Sequence, residues 1–174
     1  MSRVLTAQDR SSLIRLALTL PKGSVERKAV LSGLSKVSFE ANVPGKHVLE
    51  NAWVLESASV YGKAKVDDNA KIFGNAEVSG YAHVWGDAQV YGYSLVSGNA
   101  EVYDEAQVYG TATVFGNAQV YGEAHVYGDS VISGSAQVYG KARIGGTAQI
   151  LGGKWNGSEG KVLEGRWKAP GVPA

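Results

Sequence analysis

Every sixth residue from Val48 to Ile150 is Val or Ile, eighteen positions without a slip, with Ile at 72, 132, 144 and 150. Two residues before each of them, from Val54 onward, stands Ala in fifteen of seventeen cases, with Ser94 and Ser130 as the exceptions. Two residues after stands Gly in fourteen of eighteen, the others being Glu50, Glu56, Asp68 and Asp104. The unit A-x-V-x-G-x has too much Gly and the wrong period for a helix. In an extended segment, Ala and Val two apart point to one side and their neighbours to the other. The Gly-x pair suits a tight bend with positive φ. Each hexapeptide is therefore expected to form one short strand and a corner. Val84, Val90, Val102, Val108, Val114, Val120 and Val126 would face a common core.

Over residues 47 to about 153 the chain resembles the hexapeptide-repeat family. The resemblance implies an all-β, left-handed, triangular parallel β-helix, with three hexapeptides per turn and the aliphatic and small residues of each unit turned inward. The handedness comes from the resemblance alone, but the count of three per turn can be checked in the sequence, because residues eighteen apart should then share a face. The outward position after each Val or Ile supplies the test. One face carries Leu49, Asp67, Trp85, Tyr103, Tyr121 and Tyr139, the next Leu55, Phe73, Tyr91, Tyr109, Tyr127 and Gly145, and the third Tyr61, Ser79, Ser97, Phe115, Ser133 and Leu151. Aromatic residues gather on two faces and Ser on the third, which predicts six turns and a prism of roughly 29 Å at about 4.8 Å per layer.

The flanks differ from the repeat. Residues 1–46 hold 8 Lys/Arg against 3 Asp/Glu, whereas residues 47–174 hold 9 against 13. Two short helices are expected in 1–46, with Leu13, Leu16 and Leu20 on one stripe, Val25, Ala29, Leu31 and Leu34 on another, and Pro21 and Gly23 between them. This segment is read as an anchor or cap that joins the chain to other structural proteins. Its stretch from Ser12 to Leu34 also looks like the short leaders of proteins of large tailed bacteriophages. A surplus of five positive charges spread over both helix faces is thin for a DNA-binding helix pair, so nucleic acid is not expected as a partner. Asp9, Arg10 and Arg15 break the first apolar run, arguing against a secretory signal, and no stretch approaches membrane-spanning length. Cytoplasmic synthesis follows, with a virion as a further location. Asn156 occupies the next aliphatic slot, so residues 154–174 are expected to be a C-terminal cap or tail, with a strand or hairpin around Val162, Leu163 and Trp167.

Many hexapeptide-repeat proteins are acyltransferases with a catalytic His and a loop leaving the coil. The resemblance makes that activity one alternative, but no insertion interrupts the eighteen units, and pocket-shaping loops normally do such work. His83 and His125 each precede an inward Val, on different faces, so neither is assigned a catalytic role. Some relatives are carbonic anhydrases that hold a metal through three His. Here His47 and His83 lie two turns apart, about 10 Å, too far for one ion within a chain, and His125 belongs to another face. No metal or cofactor is expected. Acidic residues line one corner (Glu50, Asp68, Asp87, Asp104, Glu105 and Glu123), which reads as a solvated edge rather than a Ca²⁺ row.

The aromatic rows carry more weight. Trp85, Tyr103, Tyr121 and Tyr139, with Phe73, Tyr91, Tyr109 and Tyr127, form two outward ladders on neighbouring faces. They are read as an interaction surface for sister subunits or another protein, and alternatively as a carbohydrate-binding ladder. The preferred expectation is a non-catalytic scaffold, trimeric as the family resemblance implies, serving as a decoration, cement or spike component of a larger assembly such as a phage virion.

Overall fold

The structure is a computed structural model that describes residues 52–55 and 57–174. The expected helices of residues 1–46, together with His47, Val48, Leu49 and Glu50, lie outside the described residues. What is described is a parallel β-solenoid. Two-residue strands recur every six residues from Trp53–Val54 to Gln149–Ile150, and from Ser59–Val60 onward the four residues between successive strands hold a two-residue turn. Among the described residues no helix is long and apolar enough to cross a membrane.

The strands form three sheets, parallel except for the last strand of the third, that wrap one core. The first sheet has six strands, from Lys65–Val66 to Lys154–Trp155. The second has seven, from Trp53–Val54 to Lys161–Val162, and the third has eight, from Ser59–Val60 to Val172–Pro173. Register is set by the eighteen-residue period: Val108 lies between Val90 and Val126, and Gln107 between Gln89 and His125. Backbone bonds follow the same rule, as the amides of Gln107, Tyr109 and Thr111 donate to the carbonyls of Ala124, Val126 and Gly128 at 2.9, 2.9 and 3.0 Å.

The core is the predicted one. Every inward Ala, Val and Ile from Ala58 to Ile150 is at most 1 % exposed. Ala alternates with the branched residue because three walls converge on a narrow interior, which has room for one methyl where a strand begins and an isopropyl where it ends. Ser94 replaces Ala without an orphaned hydroxyl, since its Oγ donates to the Tyr91 carbonyl at 2.9 Å.

The corners explain the glycines and their replacements. At Gly110 φ is +76°, and a Cβ there would meet the Gly128 nitrogen of the next layer at 2.9 Å. Asp104 occupies the equivalent place with φ +58°. Aspartate tolerates this region better than most residues because its short side chain bonds locally, and here the carboxylate accepts the Gly122 amide of the layer above at 3.1 Å. Asp68 does the same for the Gly86 amide at 3.1 Å.

The coil does not end where the hexapeptide pattern does. Val138 pairs with Trp155 and Ile150 with Trp167, seventeen residues on, while Ile144 pairs with Val162 at eighteen. Omitting one residue moves the inward slot from Asn156 to Trp155, which is 2 % exposed, and the three ladders run one layer further. Trp167 packs against the same core, with its ring 6.4 Å from that of Trp155. The chain then reverses: Trp167 and Ala169 pair antiparallel with Pro173 and Val172.

Candidate functional site

The outward rows of the first two sheets become two columns of stacked rings. Trp85, Tyr103, Tyr121 and Tyr139 succeed one another at centroid distances of 4.4, 4.9 and 5.1 Å with planes within 8°. Phe73, Tyr91, Tyr109 and Tyr127 do so at 4.8, 5.0 and 5.4 Å within 12°. The cause is the ladder itself. Parallel strands in register put equivalent side chains one layer, about 4.8 Å, apart, which is within the range of offset ring stacking. All eight rings are half-buried, and Tyr91, Tyr109, Tyr103 and Tyr121 each have a stacked ring on both sides. Burial, reinforced by the neighbouring rings' phenols, holds the Tyr91, Tyr103 and Tyr121 hydroxyls above the ordinary tyrosine pKa, with Asp104 adding to the effect at the last two.

Both columns have defined ends. The last ring of the second column, Tyr127, leans over Gly145, where a Cβ would fall 2.3 Å from the ring. The break in the aromatic row at Gly145 is therefore the space into which the terminal ring settles. At the foot of the first column, Asp67 precedes Trp85, and His83 lies beside Trp85 with ring centroids 4.3 Å apart. His83 Nε2 and Asp67 Oδ2 are 2.6 Å apart, while Asp67 Oδ1 is buried with no hydrogen-bond partner in the described structure.

This His83–Asp67 pair was not anticipated from the sequence, although a signal for it exists. The partners are sixteen residues apart, one layer and two positions on the diagonal. Tyr61 to Glu77 at 3.0 Å and Tyr91 to Gln107 at 3.4 Å follow the same spacing. His125 has no such carboxylate. It meets Tyr109 edge to face at 6.2 Å, and burial and the adjacent Arg143 guanidinium lower its pKa, opposed by Glu123.

Several other polar side chains are also paired along the ladder. Gln137 donates to Gln119 at 3.0 Å and Gln119 to Glu101 at 2.7 Å, and Asn99 to Asn117 at 3.0 Å. At the acidic corner, Asp68 and Asp104 accept backbone amides and Asp87 accepts from Asn69 at 3.3 Å. Among the described residues no three His, Asp or Glu side chains converge to hold a metal. From Ser57 to Gly153 each strand is followed by a short turn, with no loop leaving the coil. A cleft of ≈ 320 Å³ at the last layer is lined by Trp155, Val162, Leu163 and Trp167 with Glu159, Lys161 and Glu164 at hand. Both indole N–H groups there are already committed, Trp155 to the Gly152 carbonyl at 2.8 Å and Trp167 to the Glu164 carbonyl at 3.0 Å.

The most exposed aromatic rings lie elsewhere. Tyr93 is 70 % exposed, Tyr81 61 %, Phe115 42 % and Tyr61 37 %. Phe115 and Tyr61 stand on the third sheet, and Tyr81 and Tyr93 at the two corners that border it.

A parallel β-solenoid whose outward residues bond mainly to their own neighbours is, as a class, a repeat scaffold. The family model described as YdcK beta solenoid repeat matches residues 106–122 and 118–134, so the middle of the coil is similar to that repeat. No curated protein and no solved structure matched the chain.

Proposed function

We propose that the protein is a non-catalytic structural scaffold, a rigid β-solenoid that self-associates and takes part in a larger assembly. The observation that carries this reading is the internal satisfaction of the surface. Ring faces stack on ring faces, amides bond to amides, and corner carboxylates bond to corner amides, so the rows stiffen the coil and do not converge on a substrate. In this reading residues 1–46 attach the coil to other structural proteins, residues 154–174 close its end with Trp155 and Trp167, and a phage virion is the assembly favoured by the leader resemblance. A saccharide ladder has less support, because sugar rings dock on exposed aromatic faces and these rings stack their faces on one another.

One observation favours a second reading. The His83–Asp67 pair orients an imidazole on the coil, as an acyltransferase would require. Calorimetric titration of the full-length protein with coenzyme A and acetyl-coenzyme A separates the two. The scaffold reading expects no saturable heat, and saturable binding that is lost in His83→Ala would replace it with the acyltransferase. Attachment is tested by replacing Leu13 and Leu16 with Asp in the full chain, which should release the protein from its purified assembly while leaving its β circular dichroism unchanged.

A further inference from the structure

The outer face of the third sheet carries no charge through its middle and, unlike that of the second, which runs from Lys71 to Arg143, has opposite charges at its two ends. Its two outward columns, from the second layer upward, read Glu77, Leu95, Thr113, Val131, Gln149, Arg166 and Ser79, Ser97, Phe115, Ser133, Leu151, Lys168. The relief along the second column is uneven. Phe115 stands out at 42 % exposed, whereas Ser79 and Ser133, also outward, are only 9 % and 5 % exposed, and Ser133 is the small residue between Phe115 and Leu151 in its column. Charge sits only at the ends, Glu77 near one and Arg166 and Lys168 near the other.

We infer that this face binds a second copy of the same chain, antiparallel, about a two-fold axis that runs along the strands between the layers of Thr113 and Val131. Such an axis reverses the order of layers and sets each column against itself. Phe115 then faces the partner's Ser133, the Leu151 side chain faces the partner's Ser97, and Thr113 faces Val131. At the ends, Glu77 faces the partner's Arg166, and Lys168 faces Ser79. Large residues meet small ones in the second column, and the opposite charges meet twice. Shifting the axis by half a layer either way loses this match: one shift sets Phe115 on Phe115, the other sets Phe115 on Leu151, and both separate Glu77 from Arg166. Shape and charge therefore select one register. A three-fold arrangement would have to join this face to a different surface, and so would leave that self-match unused. The inference deepens the scaffold reading by naming the partner and the face.

The chain has no cysteine, so the register can be tested cleanly. Light scattering of the full-length protein should give about 37 kDa, twice 18.3 kDa. A short bismaleimide spanning about 8 Å should join Leu95→Cys to Gln149→Cys when the two variants are mixed. It should not join Leu95→Cys to itself, because that pair lies three layers, about 14 Å, apart. Ser133→Trp should raise the dimer dissociation constant at least tenfold by putting a large ring where Phe115 meets a small side chain. Glu77→Arg should weaken it similarly, and Glu77→Arg with Arg166→Glu should restore it. Circular dichroism confirms that each variant is folded. A monomer, a trimer near three times 18.3 kDa, or Leu95→Cys joined to itself would overturn the inference. None of these outcomes bears on coenzyme A binding, so the dimer and the non-catalytic reading fail separately.

Discussion

Replacing Gly110 by Ala perturbs one corner of the coil and nothing else. In the folded chain φ at 110 is +76°, a region that costs an L-residue roughly 1–2 kcal/mol. The added Cβ would lie 2.9 Å from the Gly128 nitrogen and 3.2 Å from its oxygen. Relief requires the layers to part, which stretches the 3.0 Å bond from the Thr111 amide to the Gly128 carbonyl and forfeits about 0.5–1.5 kcal/mol. The unfolded chain loses freedom when Gly becomes Ala, which offsets about 0.4–1 kcal/mol. The net expectation is a loss of about 1–2.5 kcal/mol. Asn at the same place should behave differently, although it is larger. It tolerates left-handed backbone, and its side-chain oxygen can accept the Gly128 amide as Asp104 accepts the Gly122 amide at 3.1 Å, recovering about 1 kcal/mol. The order of stability should be Gly, then Asn, then Ala. Urea unfolding followed by far-ultraviolet circular dichroism measures it, provided the three proteins share one m-value, because a repeat coil can fray from its ends. Ala as stable as Asn, or within about 0.5 kcal/mol of Gly, would refute the reasoning.

Other outcomes follow from the surface rows. Tyr121→Ala should remove two ring contacts, at 4.9 and 5.1 Å, costing about 1–3 kcal/mol at roughly 0.5–1.5 for each stacked pair. The near-ultraviolet dichroism should drop by more than one tyrosine's share, and a loss no larger than that of an isolated tyrosine would contradict the stack. His83→Ala should leave both Asp67 oxygens without a partner, a cost of about 1–3 kcal/mol. Adding Asp67→Ala should recover part of it, whereas simple additivity of the two in urea unfolding would show that the 2.6 Å contact contributes nothing. Because burial and Arg143 lower the His125 pKa from its ordinary 6.5, the unfolded chain binds this proton more readily than the folded one. Stability from this group is complete above pH 6.5 and declines as pH falls toward the depressed value. Arg143→Gln should move the His125 imidazole titration, followed by proton NMR, upward. An unchanged or lower midpoint would remove Arg143 as a cause.

The core and the coil were legible because they depend on spacing alone. With Val or Ile every sixth residue and Ala two before it, alternation along a strand sends both inward, and eighteen residues per turn sends equivalent side chains to one row. The aromatic columns were legible for the same reason, down to their members. His83 with Asp67 was harder to see, because a contact on the diagonal at sixteen residues depends on how side chains lean between layers, which no period records. The C-terminal segment reads as a cap using Trp155 and Trp167, but the inward slot of Trp155 was missed, because it follows a one-residue contraction and a strict count of six leads to Asn156.

The sequence by itself determined the strand unit, the corners, the core and the membership of every outward row, since each is a consequence of periodicity acting on a chain that alternates sides. The tertiary structure alone decided which of those rows are spent on the protein itself. Rings about 5 Å apart cover each other's faces, so the aromatic rows that look most available in the sequence are half-buried. The Ser-rich face, which looks inert, carries Phe115 at 42 % exposed beside Ser133 at 5 %. Exposure is a property of neighbouring layers together, and a sequence read one row at a time does not contain it.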